Sequence, residues 1–384
     1  MRLYLAAMLT LIGVLTLFSC QKDNPVDGQE PPAELPIAER LQNIIAEKIG
    51  TDSDKLVGVS VSIRVGEEER WNLVGGISSS GNPIQKDMSF GVASITKTVV
   101  AAAILKLEEE GKLALTDSIG KYLTLNKPQI DVNITIFQLL NHLSGVKNYF
   151  QGANLWPRIE QNLDSPISPE ELVDFIGTPV FPVGRRYEYS NSNYLLLGLI
   201  IEAVSGQSIG EYFRSRFWDP LQLNRIYFAD DEAPTGPIAT PWRDGDGNGT
   251  LEDISSEYRA AYHSVFWTAA DVFSTASDLS LWAYHLLEGD ALSQASKSKM
   301  QRYVEIDDPI FIGYGLGLRR VQIAGRTLWG HTGGMRGYGG YMFFDPLKKI
   351  TIAMLNNQSR SADGPLLRHE LFEEMLTEVL KEVQ

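Results

Sequence analysis

Val57–Val65 (VGVSVSIRV) alternates its larger apolar positions with smaller or polar ones at a period of two, the pattern of a strand whose faces meet different neighbours. Trp71–Val74 reads as its hairpin partner beyond a polar turn at Gly66–Arg70. Upstream, Leu41, Ile44, Ile45 and Ile49 share one face of a helix predicted over Ala38–Ile49. Towards the other end, Thr327–Gly330, Gly339–Phe344 and Ile350–Leu355 predict three more strands, separated by Gly-rich and Asp-Pro turns, and Leu366–Val383 predicts a closing helix. The long middle, Thr98 to about Leu292, is dominated by helical periodicity broken by Pro, Gly and Asn loops, with no internal repeat. The expected fold class is α+β: an antiparallel sheet built from both chain ends and flanked by helices, with an all-helical region inserted between them. In residue terms, 37–97 and 305–384 form the α/β part and 98–304 the mainly helical part.

The first residues break this pattern. One early charge, Arg2, precedes an uncharged apolar run from Leu3 to Phe18, so 1–19 reads as a secretory signal peptide. The small residue before Cys20 resembles the lipobox of bacterial lipoproteins, which implies lipidation at Cys20. Residues 20–36 carry four prolines and no periodicity, as an extended tether would. The expected partner is then a membrane, reached through a lipid anchor at Cys20, and the expected place is the bacterial cell envelope, at the periplasm or outer membrane. Composition adds exclusions: 43% hydrophobic and 21% charged residues are globular, and a net charge of −14 without a basic cluster argues against nucleic acid as a partner. A single cysteine excludes an intrachain disulfide framework and a multi-Cys zinc site.

Ser-x-x-Lys occurs at Ser19, Ser94, Ser118, Ser144 and Ser296, and context separates them. Ser19 lies in the signal, Ser118 in a connection, Ser144 before a Gly turn, and Ser296 in an SKSK stretch that reads as a solvated helix face. Ser94 opens a helix that is apolar nearly all round from Val99 to Leu105 and stops at Gly111, so it should be buried. Burial places Ser94 and Lys97 on one face of a first turn, whose backbone N–H groups and partial positive charge suit an oxyanion. Hydroxyl, amine and oxyanion donor thus coincide there, although a capping Ser with a snorkelling Lys gives the same spacing.

Two further patterns occur once each: Tyr189-Ser190-Asn191, delivered by a Pro/Gly loop ahead of a buried helix from Leu195, and His331-Thr332-Gly333-Gly334, where a strand should end beside glycines that permit close approach. In this order the three resemble the serine β-lactamase and penicillin-binding superfamily, in the branch of class C β-lactamases, D-Ala-D-Ala carboxypeptidases, D-amino-acid amidases and esterases. LLNHLSGVKNY from Leu139, STASDLSLW from Ser274, YGLGL from Tyr314 and MLNNQ from Met354 strengthen the resemblance, which covers roughly Ile37 to the C-terminus. It implies a β-lactamase fold and a serine hydrolase in which Ser94 attacks a carbonyl while Lys97 and Tyr189 relay the proton. It also implies that Asn191 orients Lys97, that the N–H groups of Ser94 and Gly334 bind the oxyanion, and that His331, Thr332 and Gly333 shape the substrate side. Either Lys97 or Tyr189 fits as the base. His331 stands where most β-lactamases of this branch carry Lys, and a neutral imidazole holds a carboxylate less firmly than an ammonium. Peptidase, amidase or esterase action on a small-molecule or peptide substrate is therefore expected ahead of efficient β-lactam hydrolysis; Arg319, Arg320 and Arg336 are further carboxylate anchors or surface ion-pair partners.

No cofactor is expected for catalysis. Asp244, Asp246, Asn248 and Thr250 match the opening of a calcium loop, with Gly at the sixth position, but Ser255 stands where the bidentate Glu belongs. Structural Ca2+ and an ordinary Asp/Gly/Asn turn both fit. A catalytically inactive binder of cell-wall peptides and a calcium-dependent surface module are the competing function classes.

Overall fold

The computed structural model describes residues 35–50, 55–359 and 364–383. The expected signal peptide, Cys20 and nearly all of the expected tether lie outside the described residues. A nine-stranded sheet runs, edge to edge, Asn82–Pro83, Glu68–Ser79, Gly58–Val65, Ile350–Asn356, Tyr338–Asp345, Arg326–Met335, Arg319–Ile323, Phe311–Tyr314 and Val304–Glu305. Every neighbour pair is antiparallel. The first and last parts of the domain thus meet at the centre, where Val61 pairs with Met354.

Alternation along Gly58–Val65 explains the layers. Val59, Val61 and Ile63 enter a core shared with Leu41 and Ile45 of the helix Ile37–Lys48 and with Leu371, Phe372, Met375 and Leu376 of the helix Gly364–Glu382. The intervening Ser62 and Arg64 point the other way, onto Ser280 of the helix Ala276–Leu287, at 2.7 and 2.9 Å. These contacts offset the cost of burying Ser62 and Arg64 there, whereas the Ser60 hydroxyl on the same face is buried without a hydrogen-bond partner.

The helical region packs around two apolar helices, Thr96–Glu109 and Asn191–Ser205, whose residues are buried on nearly every side over their first halves. Gly111 and Gly206 follow their ends at φ +69° and +70°. A small sheet of Phe90–Gly91, Val272–Ser274 and Ile226–Phe228 ties this region to the segment leading into Ser94. Among the described residues no helix is long and apolar enough to cross a membrane.

Three local expectations change. The first hairpin turns at Gly66 (φ +62°) and Glu67 alone, so Glu68–Arg70 belong to the returning strand. Ser296 and Lys297 are buried, because Lys297 reaches the carbonyl of Glu288 at 2.8 Å and that of Gly289; a helix C-terminus attracts the ammonium inward. Finally, the strand predicted to end at Gly330 continues to Met335, so His331–Gly334 lie within it. Its glycines mark close contacts, not a terminus: a Cβ on Gly330 would lie 1.8 Å from the Met342 carbonyl oxygen, and one on Gly333 2.2 Å from that of Val92.

Candidate active site

Ser94 sits in a single 3-10 turn, Ala93–Ile95, that runs directly into the helix Thr96–Glu109. Ala93 before it has φ +51°, a left-handed conformation costly for a residue with a Cβ and held by the surrounding packing. The turn is fixed from outside: the Val92 N–H donates to Val272 O (2.9 Å), and the Val272 N–H to Thr96 Oγ1 (3.1 Å). Ser94 itself stays half-buried while its neighbours are fully enclosed.

Lys97 is 0% exposed and faces three oxygens: Asn191 Oδ1 at 2.8 Å, the Ala269 carbonyl at 2.7 Å and Ser94 Oγ at 3.2 Å. Asn191 opens the second buried helix, so the first turns of two helices converge on one amine. No carboxylate is among these partners. Burial pushes the Lys97 pKa well below the usual ammonium value, and the Arg319 guanidinium pushes it the same way.

Tyr189 brings its ring within 5.0 Å of Lys97 Nζ, measured to the centroid, and its hydroxyl is enclosed without a hydrogen-bond partner. Burial pushes its pKa up to about 12, against the pull of Arg319 and of the nearby Ser94 hydroxyl. The phenol is therefore protonated at neutral pH, with about one phenolate in 10⁵. His142 packs on this ring at 4.4 Å and accepts through Nδ1 from the Ser190 N–H (3.2 Å) and Asn193 Nδ2 (2.9 Å).

The neighbouring strand Arg319–Ile323 pairs with Arg326–Met335 only as far as Gly330, leaving His331–Met335 without a partner on that side. Along this edge Thr332 is half-exposed, Gly333 presses against the segment before Ser94, and Gly334 is exposed with no atom where a Cβ would sit. A cavity of about 440 Å³ opens here, lined among others by Arg319, Thr332, Gly333, Gly334, Arg368 and His369. Neither arginine has a carboxylate partner among the described residues, and the Nε of each is buried and unpaired. His331, by contrast, is 0% exposed; its Nδ1 donates to the Thr332 carbonyl at 2.6 Å and its Nε2 takes the Tyr314 hydroxyl at 3.1 Å. Burial, then Arg319 and Lys97, push its pKa well below the usual imidazole value, so it is neutral.

The β-lactamase family model matches residues 41–374. The chain belongs to the β-lactamase family. It is 27% identical over 303 residues to a penicillin-binding protein of Bacillus subtilis, covering 73% of this chain and 63% of that protein. A D-aminopeptidase of Gluconobacter oxydans is 22% identical over 281 residues, 73% of this chain and 51% of the relative. The chain thus spans about half to two thirds of the length of these relatives. Among solved structures, a D-stereospecific amidohydrolase from Streptomyces superposes with a TM-score of 0.73 at 26% identity, covering 84% of this chain and 95% of its own. A D-amino acid amidase from Ochrobactrum anthropi shares the fold, with a TM-score of 0.77 at 22% identity, over 90% and 97% of the two chains. The fold is the α+β fold of this family.

Of the residues singled out from sequence, Ser94, Lys97, Tyr189 and Asn191 come together, and Thr332, Gly333 and Gly334 form the adjoining edge. His331 lies beneath that edge, its ring nitrogens already engaged. Arg336 is paired with Glu257 (3.2 Å) and Glu160 (3.3 Å), Arg320 lies 4.4 Å over the Tyr303 ring, and of these three arginines Arg319 is the one that lines the cavity, 4.6 Å over the Phe311 ring. The Asp244 loop spends its oxygens on itself: Asp244 accepts from Gly247 and Gly249, Asp246 from Asn248, and Asn248 from Thr250. No metal-holding group of three His, Cys, Asp or Glu side chains occurs among the described residues, so the structure gives the calcium reading no support and the loop is accounted for as a set of Asx turns. Sequence reasoning missed the Ala269 carbonyl, which carries no residue-type signal, and Arg368, which reads as one more surface cation on a helix.

Proposed function

We propose that this protein hydrolyses an amide or ester bond next to a D-amino acid, through an acyl-enzyme at Ser94, with Lys97 as the base. The observation that carries this is the set of three oxygens around a buried amine with no carboxylate beside it. A neutral Lys97 has two hydrogens and one lone pair. Asn191 Oδ1 and the Ala269 carbonyl take the hydrogens, which aims the lone pair at the Ser94 hydroxyl. Ser94 then donates its proton to Lys97 as Oγ attacks the carbonyl carbon. Tyr189, protonated and enclosed beside Ser94, gives its proton to the leaving nitrogen or oxygen and is restored from Lys97. Water attacks the acyl-enzyme by the reverse path and frees Ser94. The N–H groups of Ser94 and Gly334 take the oxyanion; removing one such donor costs about 3 kcal/mol.

Arg319 and Arg368, beside Gly334 and without a carboxylate partner among the described residues, fit a substrate whose far end is a carboxylate. This favours short peptides ending in a free D-residue over neutral esters, and compensates for a neutral His331. By the resemblance at Cys20 we place the protein in the cell envelope on a lipid anchor; a Cys20→Ser variant that stays in the membrane fraction would refute that placement. The test of the reaction is covalent labelling: incubation with a fluorophosphonate or a fluorescent penicillin, then peptide mapping of the adduct. The adduct is expected on Ser94 and absent from Ser94→Ala. No adduct, with no turnover across D-peptide, amide, ester and lactam panels, would leave a binding protein instead.

A further inference from the structure

The helix Ala260–Ala270 contains a break on which the catalytic amine depends. Trp267, inside it, has φ +32° and ψ −134°, a conformation that L side chains rarely adopt, and its buried ring rests against Gly198. The residues just past the break make the contacts that define the nucleophile's surroundings. The Ala269 carbonyl meets Lys97 Nζ at 2.7 Å, and Val272 grips both ends of the Ser94 turn, through Val92 at 2.9 Å and Thr96 at 3.1 Å.

Something must hold a strained break in register, and one buried pair spans it. His263, four residues before Trp267, places Nδ1 2.9 Å from Oδ1 of Asp271, four residues after it. Asp271 is 0% exposed; its N–H returns to the Trp267 carbonyl at 2.9 Å, its own carbonyl accepts from Ala229 at 3.0 Å, and its Oδ2 is buried without a partner. A carboxylate in such a place is costly unless paired, and among the described residues His263 is the one side chain that pairs with it. The opposite side of His263 opens onto a cavity of about 300 Å³ walled by Tyr227, Tyr258, Phe273 and Tyr338, which shares no lining residue with the cavity beside Gly334.

We propose that the His263–Asp271 pair is a positioning device for the reaction: by tying the helix before Trp267 to the residues after it, the pair holds the Ala269 carbonyl on Lys97 and Val272 on the Ser94 turn. Its premise is the Ser94 and Lys97 chemistry proposed above. Neither residue touches the substrate cavity, so the effect belongs in kcat and in the rate of Ser94 acylation, not in KM.

The experiment compares the intact protein with Asp271→Ala, His263→Gln and His263→Asn, each checked for folding by thermal melting. Asn carries an amide N–H where Nδ1 stands; Gln carries it where Nε2 stands. His263 is 21% exposed on its side chain, so its variants keep the test open even if Asp271→Ala does not fold. Asp271→Ala and His263→Gln are expected to lower kcat, and the rate of fluorophosphonate labelling at Ser94, by about 10- to 100-fold with KM within about twofold. His263→Asn is expected to recover most of the rate. Wild-type kcat in folded His263→Gln, a loss carried by KM, or equal losses in the Gln and Asn variants would each overturn the proposal. Failure of the wild-type protein itself to label at Ser94 strikes at the premise and is read separately.

Discussion

The floor of the cleft and its cationic wall are built on opposite principles. On the floor, Lys97 is fully buried, its hydrogen-bond partners are three neutral oxygens, and the Asn191 side chain and the Ala269–Val272 backbone converge on the turn that carries Ser94. On the wall, the guanidinium groups of Arg319 and Arg368 lie beside a cavity, and neither meets a carboxylate among the described residues. A buried amine held by three neutral oxygens is rigid and prepared for proton transfer. Unpaired guanidinium groups beside a void are prepared for an anion that arrives from outside. In the reaction proposed above the floor sets the chemistry and the wall sets what is admitted, so the two should separate under mutation.

The largest effect falls on the floor. Lys97→Met keeps the length and apolar packing of the stem but removes the lone pair aimed at Ser94. Turnover should fall about 10³-fold, with melting temperature unchanged or raised because a buried amine has been removed. A variant retaining more than a tenth of wild-type turnover would transfer the base role to another group. Arg368→Gln attacks the wall from the side farther from the amine. For a peptide ending in D-Ala-D-Ala, kcat/KM should fall about tenfold, while a neutral acetate ester is processed as before. Equal losses on both substrates would remove the division between the two regions. Arg319 is the poorer probe, since it also faces Lys97, Tyr189 and His331.

Much of this arrangement was legible beforehand because its signals are local. The alternation in VGVSVSIRV fixes which residues face the helix pair, and the Ser94 to Lys97 spacing on an apolar helix fixes their shared face. What was not legible depends on backbone meeting backbone. Gly330 and Gly333 look like strand terminators until Met342 and Val92 are seen against them. The Ala269 carbonyl needs a break at Trp267 that no helical pattern announces. His331 and Lys297 carry polar labels yet are buried, because the Tyr314 hydroxyl meets the imidazole and the carbonyls of a helix end meet the ammonium, contacts that residue type alone does not announce.

Acidity offers a sharper form of the comparison, because the floor requires one neutral amine and one neutral phenol. The Lys97 pKa lies well below its ordinary value, so the amine is already the base form over a range where a surface lysine is charged. Tyr189 stays protonated up to about 12. The profile of kcat/KM against pH should therefore rise through one acid limb and then remain flat well past pH 10 for a neutral ester. Loss of activity between pH 8 and 10 would mean that the phenol ionises early and that the proton it is proposed to donate is lost in that range.

The smallest effect lies away from both regions and calibrates them. Glu202, near the end of the helix Asn191–Ser205, has its pKa raised to about 7, first by burial and then by Asp231. A carboxyl raised above its unfolded value of about 4.3 stabilises the fold while it is protonated. That contribution is complete below pH 4 and is lost as pH climbs through 7. Glu202→Gln mimics the protonated form, so it should match wild type at pH 4 and exceed it at pH 8. Glu202 is only half-buried, and solvent screening reduces the gain to about 1 kcal/mol, read as a higher urea midpoint at unchanged slope. Catalysis should be untouched, because no contact of Glu202 reaches the residues that hold Lys97. An equal gain at both pH values would mean that Glu202 is ionised throughout, and that burial at this helix end is weaker than the same effect on the floor.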